Sequence, residues 1–200
     1  MTLQRRDPRG LIPSGPPVIE GEVVESPLSH ADYLALRDAM TNRRDLLLCM
    51  TLYATGLRIN ELLRVTVERL EKRGPVVWFY FQRSKKAGIP QYEPMPLPAS
   101  LGVLLWDYVH GQGLTPGQRI FKLSDRRVRY IFWDAGKKAL GRPAHPHEMR
   151  GACARALQAA GVPFEVVAKY LGHTDTRTTL KYYLDLTDEK RLDLARKVPI

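Results

Sequence analysis

The sequence predicts a mainly α-helical domain with one small antiparallel β-sheet, an α+β arrangement. Apolar residues recur at helical spacing from residue 29 to 65 and again from 124 to 171. Between those stretches, residues 76–81 (VVWFYF) form an unbroken β-branched and aromatic run, too short for a typical helix and suited to a buried strand. Residues 91–97 read as its partner, and Pro94 and Pro96 put that partner at the sheet edge, because proline has no backbone N–H to donate to a neighbouring strand.

The elements follow in order. Residues 1–27 are rich in proline and glycine and poor in large apolar side chains, so they cannot bury enough surface to offset the entropy of ordering and read as a flexible arm. Ser29 caps a first helix carrying Tyr33, Leu34, Leu36 and Met40. A second helix runs across Leu46, Leu47, Met50, Leu52 and Tyr53 and stops at Gly56. Residues 58–65 restart as a helix with Ile59, Leu62 and Leu63 on its apolar side. After the strand, residues 84–88 (SKKAG) make a basic hairpin tip. Helices resume at Ala99 and include residues 124–140, with Val128, Ile131, Phe132, Ala135 and Ala139 at helical spacing. Residues 28–186 form the main domain in this reading, the one that carries the chemistry-bearing residues, and residues 187–200 a short amphipathic tail with Leu192 and Ala195 on its apolar side.

Charge narrows the partner class. Thirty-one Lys and Arg against twenty-one Asp and Glu leave a net charge of +10, which draws polyanions by counterion release. The excess is local: Arg126, Arg127, Arg129, Lys137 and Lys138 lie on the polar side of one helix, where they suit contact with phosphates, although a merely solvated face accounts for any one of them. Cys49 and Cys153 each sit in an apolar helical pattern and make no disulfide framework. The N-terminus lacks the apolar run of a secretion signal, and no stretch reaches membrane-spanning length. The expectation is a cytoplasmic, nucleoid-associated protein with no membrane partner.

The chemistry-bearing residues cluster late in the chain. His147 and Arg150 are three apart near a helix start and share a face, while Met149, Cys153, Leu157 and Ala160 make the buried stripe. Pro163 begins the next helix, with Phe164, Val167 and Leu171 as its buried stripe, and Gly172 closes it just before His173. Residues 176–184 can form one more helix, in which Leu180, Tyr183 and Leu184 face the core and leave the Tyr182 phenol free for a substrate. Each residue alone has a plain structural explanation. Arg58 has Glu61 three residues on, the spacing of a helical surface ion pair. A lysine in a turn or a histidine at a helix start is equally ordinary. His145, His147, His173 and Cys153 include zinc-ligand types, but neither paired cysteines nor a spaced carboxylate accompanies them, so no metal or cofactor is expected.

Taken together, ATGLRINELL with Arg58, HEMR with His147 and Arg150, LGH with His173, and Tyr182 nine residues later resemble the catalytic domain of the tyrosine recombinases, the phage integrase family. The hairpin lysine of that family maps best to Lys85, with Lys86 as its neighbour and alternative. HPHEMR looks like the version found in the short fimbrial phase-switch recombinases, which similarly lack the helical domain that precedes the catalytic one in most members. Gly151 stands where a histidine often follows the motif arginine, a substitution that puts none of the named catalytic roles in doubt.

The resemblance implies strand cleavage and rejoining without metal or ATP. Tyr182 is the nucleophile and leaves a 3′-phosphotyrosyl link, Arg58 and Arg150 hold the phosphate, and His147 takes the phenol proton. Lys85 protonates the departing 5′ oxygen, and His173 hydrogen-bonds the scissile phosphate. The implied partners are double-stranded DNA, further copies of the chain in a tetrameric synapse, and accessory DNA-binding proteins. In the family the C-terminal tail docks on a neighbouring protomer; packing on its own domain, or fraying, is the alternative. A type IB topoisomerase and a DNA-binding regulator that has lost the chemistry are the competing functions.

Overall fold

The computed structural model describes residues 27–83, 92–172 and 187–200. The arm before residue 27, the tip of the basic hairpin and the helix expected over 176–184 lie outside the described residues. Eight helices and three strands occur among those described, in the order α1 (His30–Asp38), α2 (Arg43–Thr55), α3 (Ile59–Leu62), β1 (Leu70–Arg73), β2 (Val76–Gln82), β3 (Tyr92–Pro96), α4 (Ala99–Gly111), α5 (Asp125–Leu140), α6 (Pro146–Ala159), α7 (Phe164–Leu171) and α8 (Asp188–Lys197). A single 3-10 turn, Val67–Arg69, precedes β1.

Local chemistry sets most helix ends. Ser29 accepts from the Asp32 N–H while the Asp32 carboxylate takes the Ser29 N–H at 2.8 Å, so two orphan donors of α1 are satisfied reciprocally. Asn42 caps α2 and Ser124 caps α5 through their side chains. Helix α2 is buried nearly all round, from Leu47 to Thr55, because it is the central helix: α1, α4 and α6 all pack on it. Stacked Tyr33 and Tyr53, 3.6 Å between ring centroids, seal the α1–α2 contact. Gly136 brings α5 close to the chain ahead of α6, since any Cβ there would meet the Ala144 backbone.

The sheet is antiparallel in the order β1-β2-β3, with Phe79 opposite Leu70 on one side and Met95 on the other. Its central strand packs on α4, and the proline-bearing β3 is an edge strand, as the sequence predicts. Helix α8 lies against β3 and α6 of the same chain, burying Leu194 and Ala195 with Val198 just beyond, while Leu192 is only half-buried. Arg73 adds an ion pair to Asp188 at the start of α8.

Four local expectations are corrected. Residues 58–65 do not form one helix; α3 stops at Leu62 because Val65 and Val67 join a ladder with residues 118–120, through Ile120 N–H to Val65 O and Val67 N–H to Gln118 O. Strand β1, which the sequence analysis did not foresee, presents three of its four residues to solvent and buries only Leu70. Phe164 is 58% exposed, and Tyr170 takes the core position with Val167 and Leu171. Met40 and Ala160 fall beyond the ends of α1 and α6, and Ala160 is exposed.

The two thiols carry a consequence for pH. Cys49 and Cys153 are fully buried, and burial pushes each up to about 12 from an ordinary value near 9. In the unfolded chain they ionise near the lower value, so between the two values the unfolded state holds fewer protons and stability falls as pH rises. Burial pushes Tyr33, Tyr53 and Tyr170 upward as well, which adds to the same trend. The urea midpoint should therefore drop steadily from about pH 9 toward about pH 12; a flat midpoint across that window would contradict the buried placement of these groups.

Candidate active site

The site forms where three helix ends meet. Helix α2 stops at Gly56, which adopts a left-handed conformation (φ 60°) and bonds back to Leu52 O. A non-glycine side chain here would be strained and would strike Leu171. The chain then turns through Leu57 into Arg58, the N-cap of α3. Arg58 donates its backbone N–H to Glu61 Oε2 and its Nη1–H to Oε1, both at 3.0 Å. Glu61 is fully buried, whereas the Arg58 side chain remains 30% exposed. The pair is therefore no surface ornament: the buried carboxylate requires the cation, and the cation keeps a solvent-facing side.

Arg150 comes from the opposite direction, on α6. Pro146 occupies the first turn of α6, and Glu148 returns to the His145 N–H at 2.6 Å while accepting from Arg142 at 2.8 Å. That start leaves His147 exposed and, three residues on, turns Arg150 into the core at 6% exposure. The Arg150 fork donates Nη1–H to Gly56 O at 2.7 Å and Nη2–H to Leu171 O at 2.6 Å. Both acceptors stand at the carboxyl ends of helices, where backbone carbonyls lack partners and the dipole favours a cation.

Arg83, just after β2, reaches the same place and was not singled out from the sequence. At 8% exposure it donates Nη1–H to Leu171 O at 2.5 Å and Nη2–H to Tyr170 O at 3.0 Å, and its Nε–H pairs with Glu93 Oε2 at 3.0 Å. Gly172, again left-handed (φ 74°), is required beside it, because a Cβ there would land on the guanidinium. A signal was available: Phe79, Phe81 and Arg83 alternate onto the buried face of the strand, and a charge on that face needs partners. Arg191 on α8 points its Nη2 toward the same Glu93 oxygen, at 3.9 Å.

Among the described residues, cationic charge thus exceeds anionic charge in a poorly solvated place. Burial above all, with the nearby Arg58 adding to it and Glu61 opposing it, lowers the Arg150 guanidinium to about 10. Arg150 therefore stays protonated at neutral pH, and the cluster favours an added anion. Of the residues the sequence singles out, the structure brings Arg58 and Arg150 together and sets His147 on the exposed first turn of α6. Lys85, Lys86, His173, Tyr182 and Tyr183 lie outside the described residues. Arg126, Arg127, Arg129, Lys137 and Lys138 occupy the exposed face of α5, with Arg129 paired to Asp125 and Lys138 to Asp134. Arg127 lies over the Tyr130 ring and Lys137 over Trp133, at 5.3 and 5.9 Å. Cys153 is in the core, its Sγ 3.9 Å from Ala54 O.

If the exposed edge of this cluster receives an anion, excess inorganic phosphate should raise the thermal midpoint above that in chloride of equal ionic strength. Arg58→Lys keeps a cation beside Glu61 but loses the planar fork, so its gain should be smaller than that of wild type; equal gains in both would place the anion elsewhere.

Residues 18–190 match the phage integrase family. A tyrosine recombinase of Pseudothermotoga lettingae is 31% identical over 172 residues, covering 82% of this chain and 57% of the relative. Tyrosine recombinase XerD of Pseudomonas aeruginosa is 31% identical over 176 residues, covering 81% of this chain and 58% of the relative. The chain thus spans a little over half the length of these relatives. Among solved structures, a pre-cleavage complex of XerH site-specific recombinase bound to difH substrate superposes with a TM-score of 0.63 at 19% identity, covering 81% of this chain and 51% of that one, a likeness of fold. With the paired arginines at the meeting of α2, α6 and α7 and a family match that spans most of the sequence, the chain belongs to the phage integrase family.

Proposed function

We propose that this chain is a tyrosine-type site-specific DNA recombinase that cleaves one strand through Tyr182 and rejoins it to a partner strand. The observation that carries this reading is the convergence of Arg58 and Arg150, two guanidiniums from distant parts of the chain held over backbone carbonyls and Glu61 in a cluster with excess positive charge. Attack on a phosphodiester builds charge on the non-bridging oxygens of a five-coordinate transition state. Forked donors that are already oriented stabilise that charge without reorganising, and they do so without a metal ion.

The remaining roles rest on the order of the motifs. A phenol with an ordinary pKa of about 10 is a weak nucleophile until a base takes its proton, and His147, exposed on the first turn of α6, is that base. Lys85 serves as the acid for the leaving 5′ oxygen, with Lys86 as its neighbour, and His173 as a donor to the phosphate. The Tyr182 oxygen forms a bond to phosphorus as the 5′ oxygen departs with a proton. The resulting 3′-phosphotyrosyl ester keeps the bond energy, so a second 5′-hydroxyl can reverse the step without ATP.

Double-stranded DNA is the partner in this reading. The exposed cations of α5 contact backbone phosphates, and copies of the chain assemble as a tetramer on paired sites, with accessory proteins where the site requires them. The reading places this action on DNA in the cytoplasm, at the nucleoid; among the described residues no helix is long and apolar enough to cross a membrane.

The test begins with a duplex that the wild-type chain enriches by binding from a randomised pool, supplied with single nicks. Wild type should form a covalent protein–DNA adduct that survives denaturant, Tyr182→Phe should form none, and Tyr183→Phe should retain it. An adduct lost in Tyr183→Phe and kept in Tyr182→Phe would reassign the nucleophile; no adduct with wild type would refute strand cleavage.

A further inference from the structure

We propose that Arg83 is a positioning residue for strand cleavage, acting through Arg150; the inference rests on the recombinase reading above. The Leu171 carbonyl accepts from two guanidiniums at once, Arg83 Nη1 at 2.5 Å and Arg150 Nη2 at 2.6 Å. Two cations are thereby held against one oxygen in a nearly dry place, an arrangement that costs energy unless each is otherwise constrained. Arg83 is so constrained: its second nitrogen bonds Tyr170 O at 3.0 Å, its Nε–H bonds Glu93 at 3.0 Å, and its guanidinium lies 4.9 Å from the centre of the Phe81 ring.

Geometry gives these contacts a purpose beyond burying a charge. Arg83 is the last described residue before the segment that carries Lys85, and Glu93 lies on the strand that returns from it, so their ion pair closes the base of the hairpin. Leu171 ends α7, two residues before His173 in sequence. One side chain therefore ties the root of the hairpin to the carboxyl end of α7 and fixes the carbonyl on which Arg150 rests. Arg150 has only two carbonyl anchors among the described residues, Gly56 and Leu171. If the second drifts, the guanidinium swings about the first.

Arg83 itself is held back from substrate. All three of its nitrogens are engaged, the Nε with Glu93 included, whereas the Arg150 Nε makes no hydrogen bond among the described residues. Its influence should appear in the rate of the chemical step and not in DNA affinity, because a misplacement of about 1 Å at a reacting group costs up to about a hundredfold in rate.

The experiment measures single-turnover adduct formation with the nicked duplex selected by wild type, across DNA concentrations, for wild type, Arg83→Gln and Arg83→Lys. A lysine keeps the charge and reaches one carbonyl; a glutamine loses the charge and the fork. At saturating DNA the rate should fall by about tenfold in Arg83→Lys and about a hundredfold in Arg83→Gln, with the half-saturating DNA concentration within about twofold of wild type. Should Arg83→Gln fail to fold, Arg83→Lys alone decides. Either folded variant reacting at the wild-type rate, or a loss that appears in half-saturation instead of rate, overturns the positioning role while leaving the recombinase reading intact. No adduct with wild type overturns both.

Discussion

A buried guanidinium resting on two helix carboxyl ends organises this protein. Arg150 cannot enter the core alone, since an unpaired cation there would be expelled or neutralised; it enters because α2 and α7 each end with a carbonyl that has no helical partner. The same two bonds therefore satisfy the cation and hold α2, α6 and α7 at fixed separations. Both helices stop at left-handed glycines, Gly56 and Gly172, and at both positions an added Cβ would strike a neighbour, Leu171 in one case and Arg83 in the other. Chain reversal, close approach and charge burial meet in one construction.

That construction separates two kinds of arginine. Arg150 and Arg83 spend donors on backbone and lie almost wholly inside, so they define the shape of the site. Arg58 balances buried Glu61 yet keeps part of its side chain toward solvent, so it is the member best placed to greet an incoming anion. Excess positive charge in a low-dielectric place is a standing cost to stability, and an arriving phosphate relieves it. On the proposed reading, the site is in that sense prepared for a phosphodiester before one binds. Catalytic groups at such a site need little reorganisation during the reaction.

Much of this was legible in the amino acids, where the determining chemistry is local. Ser29, Ser124, Gly56 and Gly172 announce helix ends through capping and left-handed turns, and each stands where the sequence puts it. Pro94 and Pro96 mark β3 as an edge. Misreadings arose where distant contacts overrode local pattern. The 58–65 stretch has a helical period, yet its end pairs with residues 118–120; β1 carries too little apolar surface to announce itself; and Phe164 yields the core to Tyr170. At the site, the motifs single out Arg58 and Arg150 as candidates, but their partners could not be read. The bonds from Arg150 to Gly56 and from Arg83 to Leu171 span 94 and 88 residues, and no periodicity encodes such pairings. Glu61 looked like half of a surface pair because spacing reports a helix face and not what packs on it.

The central claim is that Arg58 and Arg150 converge on one phosphodiester. A crystal structure of Tyr182→Phe bound to its DNA duplex tests it most directly. The account predicts both guanidiniums within hydrogen-bonding distance of the non-bridging oxygens of a single phosphate, with Arg150 still anchored on Gly56 and Leu171. A duplex whose phosphates meet only the cations of α5, with no phosphate shared by Arg58 and Arg150, would contradict it.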